Sequence, residues 1–237
     1  KNKFKSIRQK DGISGFLKIE ESEYDAFGAG HSSTSISAAL GFAHARDQDK
    51  SNRQVVAIIG DGAMTGGMAY EGINNLGFHK TQMTVVLNDN SLSISKSVGA
   101  LSKYLTLITT NKTYNKIRKK IWNISGKIPI FSNLIRFILK KSEKAIKGSL
   151  TPGSLFEDLG LRYIGPIDGH SLKDLIRAFK SVKEMNSPVL LHIYTKKGKR
   201  ISVSESDSIK YYSLSGSKSI KNNDLPFDYS KVFGLSL

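Results

Sequence analysis

Strands in this chain are marked by continuous apolar runs rather than by alternation. Val55-Val56-Ala57-Ile58-Ile59 breaks at once into Gly60-Asp61-Gly62-Ala63, and Met83-Thr84-Val85-Val86-Leu87 ends in Asn88-Asp89-Asn90. Runs of this length bounded by turn residues predict buried strands. Between them Met64, Met68, Ala69, Ile73 and Leu76 recur at helical spacing, which predicts a helix over 65–76 with those side chains in the core. Gly66-Gly67 predicts close packing of that helix on the sheet, at a cost of about 1 kcal/mol each relative to alanine. Strand, helix and strand together predict one βαβ unit with a right-handed crossover. Both polar clusters then fall at the carboxyl ends of neighbouring parallel strands, the edge where open α/β sheets bind ligands.

The remaining pattern extends this unit into a doubly wound, mainly parallel α/β fold. Ile36 to Ala43 is small and apolar with helical spacing, and Ala45 to Arg53 reads as a charged connection. Leu155 to Gly160 predicts a helix ending on a glycine. Tyr163 to Pro166 predicts a short strand broken by proline, with Asp168-Gly169-His170 as a turn before a helix over 172–182. Pro188 to Thr195 predicts another buried parallel strand, which ends in Lys196-Lys197-Gly198-Lys199. From Leu101 to Lys147 apolar and basic residues alternate at helical spacing, which predicts a helical flap. Past Arg200 the composition shifts to Ser, Lys and Asn, a linker.

A length of 237 residues suffices for one large α/β domain. No apolar run approaches the ~20 residues that span a bilayer, and KNKFKSIRQK lacks the apolar core of a signal peptide. A cytoplasmic protein with no membrane partner is expected, and a first residue other than Met predicts that the chain begins mid-protein. With no cysteine, any metal must be held by oxygen or imidazole. The net charge of +16 is uneven: Ser102 to Leu150 holds twelve Lys or Arg against one acid, Glu143. A solvated lysine-rich face accounts for it, and no nucleic-acid module accompanies it, so no specific nucleic-acid partner is expected.

The candidate chemistry sits on the polar clusters. Asp61 offers a charged oxygen and Asn90 a neutral one, a hard-oxygen pair suited to magnesium, whose octahedron diphosphate oxygens and water complete. GDG alone would equally serve as a βα turn that needs glycine. Gly30, His31 and Ser32 precede a helix, where free N–H groups and the helix dipole favour phosphate; serine capping would explain the same residues. Lys197 is a candidate to approach a cofactor or substrate phosphate, with a solvated lysine as the alternative. Asp168 and His170 are read as structural. GHSST lacks the lysine of a P-loop, and no nucleophile, base and orienter set for hydrolysis is present.

GDGAM followed by NDN, with 29 positions from Asp61 to Asn90, resembles the diphosphate-binding motif of thiamine diphosphate enzymes. GHSSTSISAALGFA, GDGAMTGGMAYEGINNLG, VVLNDNSLSIS, LGLRYIGPIDGH and TKKGK resemble, more narrowly, the 1-deoxy-D-xylulose-5-phosphate synthase family, from about Ile7 to the last residues. The resemblance implies a thiamine diphosphate-binding fold with thiamine diphosphate and magnesium as cofactors. Asp61, Asn90 and the backbone carbonyl of Leu92 would hold the metal. Gly30, His31, Ser32, Asp61, Gly62, Ala63, Asn90 and Ile201 would contact the cofactor, with His31 near a phosphate or the thiazolium ring. His31 and Lys197 are the candidates for a direct part in the chemistry. The implied reaction condenses pyruvate with glyceraldehyde 3-phosphate and releases carbon dioxide, feeding isoprenoid (terpenoid), thiamine and pyridoxal precursors, in a homodimer.

The same resemblance implies a cofactor domain over 1–200 with a basic helical insert over 102–150, a linker over 201–226, and the start of a pyrimidine-binding domain over 227–237. The glutamate that activates the cofactor in this family belongs to that next domain. Two positions depart from the family: Arg200 and Ile201 replace Gly-Tyr, whose aromatic lies against the cofactor, and Tyr212 replaces a histidine associated with catalysis. A phenol of pKa ~10 cannot carry the proton transfers of an imidazole that titrates near neutral pH. A fragment of a full-length synthase, an inactive cofactor-binding remnant, and one subunit of a split transketolase-like enzyme are the three readings that follow.

Overall fold

A computed structural model describes residues 2–90, 99–110, 153–199 and 229–236, in two compact units, Lys1–Lys196 and Lys197–Leu237. In the first unit, helix α1 (Ser35–Gln48) leads to strand β1 (Val56–Gly60), a short helix α2 (Asp61–Met64) and helix α3 (Gly67–His79). Strand β2 (Thr84–Asp89) and helix α4 (Ala100–Thr110) follow. Helix α5 (Ser154–Asp158), strand β3 (Arg162–Asp168), helix α6 (Leu172–Lys183) and strand β4 (Val189–Tyr194) complete the unit. The second unit holds a turn at 197–199 and helix α7 (Tyr229–Ser236), whose Val232, Phe233 and Leu235 are exposed.

The four strands pair in parallel in the order β1-β2-β4-β3. Ile59 lies opposite Leu87 and Leu87 opposite His192, so alternate residues of the three strands share a face. On one face Ala57, Ile59, Val85, Leu87 and Leu190 join Ile36, Ala39 and Ala43 of α1, Ile73 and Leu76 of α3, and Leu105 and Ile108 of α4 in one buried cluster. On the other face Val86, Ile167 and Leu191 pack with Ala178 of α6. Covering both faces explains why β2 and β4 read as apolar runs rather than alternating ones. The edge strand β1 differs, since Val56 and Ile58 stay exposed.

Several details depart from the pattern. The predicted helix over 65–76 divides: α2 starts at Asp61, and an extended Gly66 caps α3. Met68, expected in the core, is 51% exposed, whereas Met64, Ala69, Ile73 and Leu76 are buried. A methyl on Gly66 would meet Ser33 and one on Gly67 would meet nothing, so neither glycine is needed for packing on the sheet. Close packing of α3 instead involves other elements: at Gly77 a methyl would run into the Leu159 carbonyl after α5, and at Gly72 it would lie 2.9 Å from Ser37 Oγ of α1. Much of the predicted charged connection belongs to α1, whose Arg46 is buried and donates to the Gln82 carbonyl at 2.8 Å. Strand β3 continues through Pro166 with a register shift between Ile164 and Ile167, as an edge strand can, because proline needs no ladder partner there. The predicted flap enters the described residues only as α4, with Leu101, Leu105 and Ile108 buried. The rest of the basic insert to 150 and the linker over 201–226 lie outside them.

Candidate functional site

The carboxyl ends of β1 and β2 meet at Asp61. Strand β1 ends at Gly60, and Asp61 opens α2 with only 6% of its surface exposed. The Asn90 backbone N–H, at the end of β2, points to Asp61 Oδ1 at 3.5 Å. Burial pushes the Asp61 carboxyl above its ordinary pKa. The nearby Asp89 carboxylate adds to the rise, and backbone N–H groups of Asn90, Asp61 and Gly62 partly offset it. A buried carboxylate with a second one beside it favours a cation.

The Asn88-Asp89-Asn90 cluster is wired into the sheet. Asn88 Oδ1 accepts from Thr195 Oγ1 at 2.8 Å, and the Asp89 carbonyl accepts from the Thr195 N–H at 2.8 Å. Asp89 is 3% exposed, and its Oδ2 lies 3.2 Å from Nε2 of His192, which is fully buried. His192 Nδ1 lies 2.7 Å from the Tyr163 hydroxyl. An imidazole that donates Nε2–H to the carboxylate presents Nδ1 to accept the phenol proton. Tyr163 stacks on Phe156, with ring centroids 6.1 Å apart. Sequence reasoning assigned no part to Asp89, His192 or Tyr163. The trace of them was a histidine inside the otherwise apolar run of β4.

The glycine-serine loop approaches from the other side. Ser33, at φ 70°, donates from Oγ to the Ala63 carbonyl at 2.7 Å and so ties the loop to the Asp61 turn. Gly30, His31 and Ser32 are exposed beside that tie. Thr34 occupies the N-cap of α1 without a side-chain cap bond and donates instead to the His31 carbonyl at 3.3 Å, so serine capping does not account for the loop. Thus Asp61, Gly62, Ala63 and Asn90 are brought together, and the loop carrying Gly30, His31 and Ser32 is pinned to them through Ser33.

Other candidates fall elsewhere. Leu92 and Ile201, like Arg200 and Tyr212, lie outside the described residues. Lys197 belongs to the second unit, half-buried in its turn. Asp168 Oδ1 accepts from the His170 N–H at 2.9 Å, and His170 Nε2 accepts from the Lys196 N–H at 2.8 Å, which shapes the turn after β3. Among the described residues no three His, Cys, Asp or Glu side chains gather into a metal cluster. The oxygen donor that the structure places at this edge is the Asp61 carboxylate, a hard ligand of the kind that suits magnesium when a phosphorylated ligand supplies further oxygens.

The fold, a four-stranded parallel sheet flanked by helices, is like that of one part of transketolase. The crystal structure of transketolase from Campylobacter jejuni matches 82% of this chain and 24% of that one, with a TM-score of 0.56 and 17% identity. Residues 1–195 match the family model described as 1-deoxy-D-xylulose-5-phosphate synthase. The synthase of that name from Syntrophus aciditrophicus is 46% identical over 98% of this chain and 37% of its own length. The one from Natranaerobius thermophilus is 46% identical over 99% of this chain and 38% of its own length. This chain belongs to the 1-deoxy-D-xylulose-5-phosphate synthase family, corresponds to its N-terminal region, and spans under two-fifths of these relatives. Among the described residues no helix is long and apolar enough to cross a membrane.

Proposed function

We propose that this chain is the diphosphate-holding part of a 1-deoxy-D-xylulose-5-phosphate synthase, a transketolase-type transferase. The observation that carries this reading is the meeting of Asp61 and Asn90 at the carboxyl ends of adjacent parallel strands, 29 positions apart, in a chain of that family. Asp61 supplies the formal charge that offsets a magnesium ion, Asn90 a neutral oxygen, and the Leu92 carbonyl a third. The negative charge already gathered at Asp61 and Asp89 fits a divalent ion. Gly62 and Ala63 bring backbone to the diphosphate, and Gly30, His31 and Ser32 contact it from the loop that Ser33 pins in place. Lys197 is assigned to a cofactor or substrate phosphate, and position 201 to the cofactor's flank.

When bound, thiamine diphosphate supplies the carbanion chemistry, and the protein contributes binding, orientation and electrostatics. The whole protein would condense pyruvate with glyceraldehyde 3-phosphate, release carbon dioxide, and serve isoprenoid, thiamine and pyridoxal precursor synthesis as a cytoplasmic homodimer. The domain division at about 200, with a pyrimidine-binding domain beginning near 227, belongs to the same proposal.

Arg200, Ile201 and Tyr212 favour a second reading, an inactive remnant that still binds the cofactor; a split enzyme with its pyrimidine domain on another chain is the third. A chimera tests them, with this chain replacing the corresponding region of the Syntrophus aciditrophicus relative. Turnover of pyruvate and glyceraldehyde 3-phosphate that Asp61→Ala abolishes supports the synthase. A folded chimera that binds thiamine diphosphate but does not turn over supports the remnant. The chain by itself is expected to form no product, because the activating glutamate lies in the pyrimidine-binding domain.

A further inference from the structure

Two carboxylates, not one, lie at the carboxyl edge of β1 and β2. Asp89 is the last residue of β2, and Asp61 opens α2 directly after Gly60, which pairs with Asn88, so the two acids lie at one edge of the sheet, with the Asn90 N–H pointing to Asp61. They interact electrostatically and both are buried. Asp89 is directed at His192 on the neighbouring strand, not at solvent, and His192 is fixed in turn by Tyr163. Gly165 lets β3 pass close to His192, since a methyl there would lie 3.0 Å from its Cα and nearer still to its Cβ. Buried Asp61, Asp89 and His192, with half-buried Tyr163 behind them, thus form a line of polar groups across the sheet that costs stability unless something uses its charge.

We propose that Asp89, His192 and Tyr163 are positioning residues for the metal: Asp89 does not ligate it but holds a fixed second negative charge behind Asp61, and His192, set by Tyr163, keeps that carboxylate in place. The inference rests on the reading of Asp61 and Asn90 as magnesium ligands. Partners behind a metal ligand set its orientation and the local field, and their loss commonly weakens metal binding by about 10–100-fold.

The probe is manganese, titrated into the chain with thiamine diphosphate and followed by its electron paramagnetic resonance signal, alongside thermal melts without metal. Asp89→Asn keeps the shape and a hydrogen-bonding oxygen but removes the charge. It should weaken manganese about 10–100-fold, and the metal-free melting temperature should not fall, because the repulsion with Asp61 goes. His192→Leu should weaken the metal comparably, and His192→Gln, which can still donate to Asp89, should restore most of the affinity. Unchanged manganese affinity in Asp89→Asn overturns the proposal while leaving the ligand reading intact. Unchanged affinity in the control, Asp61→Ala, overturns both. A lower melting temperature in Asp89→Asn with normal affinity would make the line a purely structural feature.

Discussion

Gly66→Ala tests the tie between the two loops of the site. The backbone of Gly66 is extended, at φ −75° and ψ 144°, so alanine meets no torsional strain there. Its methyl, however, would overlap Ser33 Oγ and lie 2.9 Å from Ser33 Cβ, against an ordinary carbon contact of about 3.5–4.0 Å. Turning Oγ aside breaks its hydrogen bond to Ala63 at 2.7 Å and still leaves the Cβ contact. Losing that bond costs about 0.5–1.5 kcal/mol, and overpacking adds about 1–3 kcal/mol. The total is about 1.5–4.5 kcal/mol, or roughly 3–18 °C in melting temperature for a domain of this size. In a Ser33→Gly background the obstacle is gone, and glycine suits a residue at φ 70°. There the same substitution should cost only the helix-cap difference, about 0.5–1 kcal/mol. Thermal melts of the four proteins close a double-mutant cycle. Costs that add, with Gly66→Ala equally harmful in both backgrounds, would refute the packing argument.

Asp61 should oppose the stability of the metal-free fold. Its folded pKa is raised, so its contribution is full below the unfolded pKa and is lost as pH rises through the folded one. Asp61→Asn should therefore raise the melting temperature in chelator at pH ~7, with the gain shrinking towards pH ~4 near the ordinary carboxylate range; a lower melting temperature at neutral pH would contradict this. Phe156→Ala removes a fully buried ring stacked on Tyr163 and should cost about 3–5 kcal/mol, whereas a loss under about 1 kcal/mol in denaturant titration would mean the ring is not part of the core. The net charge of +16 should give only weak polyanion binding that falls steeply with salt, and sequence-selective binding of an oligonucleotide at ~150 mM salt would overturn that expectation.

The apolar runs of β1, β2 and β4 made the parallel sheet legible; β2 and β4 are covered on both faces and carry no polar alternation to obscure them, whereas β1 reads as a run although its Val56 and Ile58 are exposed. The same runs located Asp61 and Asn90, since a strand's end is where its apolar residues stop. Element boundaries were less legible: Gly66 reads as a helical glycine, yet its extended backbone separates α2 from α3. Met68 fits the helical stripe by spacing and still faces outward, because α3 begins only at Gly67. The Asp89–His192 contact joins residues 103 positions apart and depends on the β2–β4 register, which no local pattern specifies. Ser33 looked like one hydroxyl among four. Its bond to Ala63, 30 positions away, became visible only once the loop and the turn were placed together.

The most direct test is calorimetric titration of the chain with thiamine diphosphate, with and without magnesium, on the wild type, Asp61→Ala and Asn90→Ala. The account predicts weak binding that chelator abolishes, lost in Asp61→Ala and reduced less in Asn90→Ala, which removes a neutral oxygen rather than the charge. Wild-type binding indifferent to chelator, or unchanged affinity in Asp61→Ala, would contradict it and leave the Gly60-Asp61-Gly62 stretch as a turn that merely needs glycine.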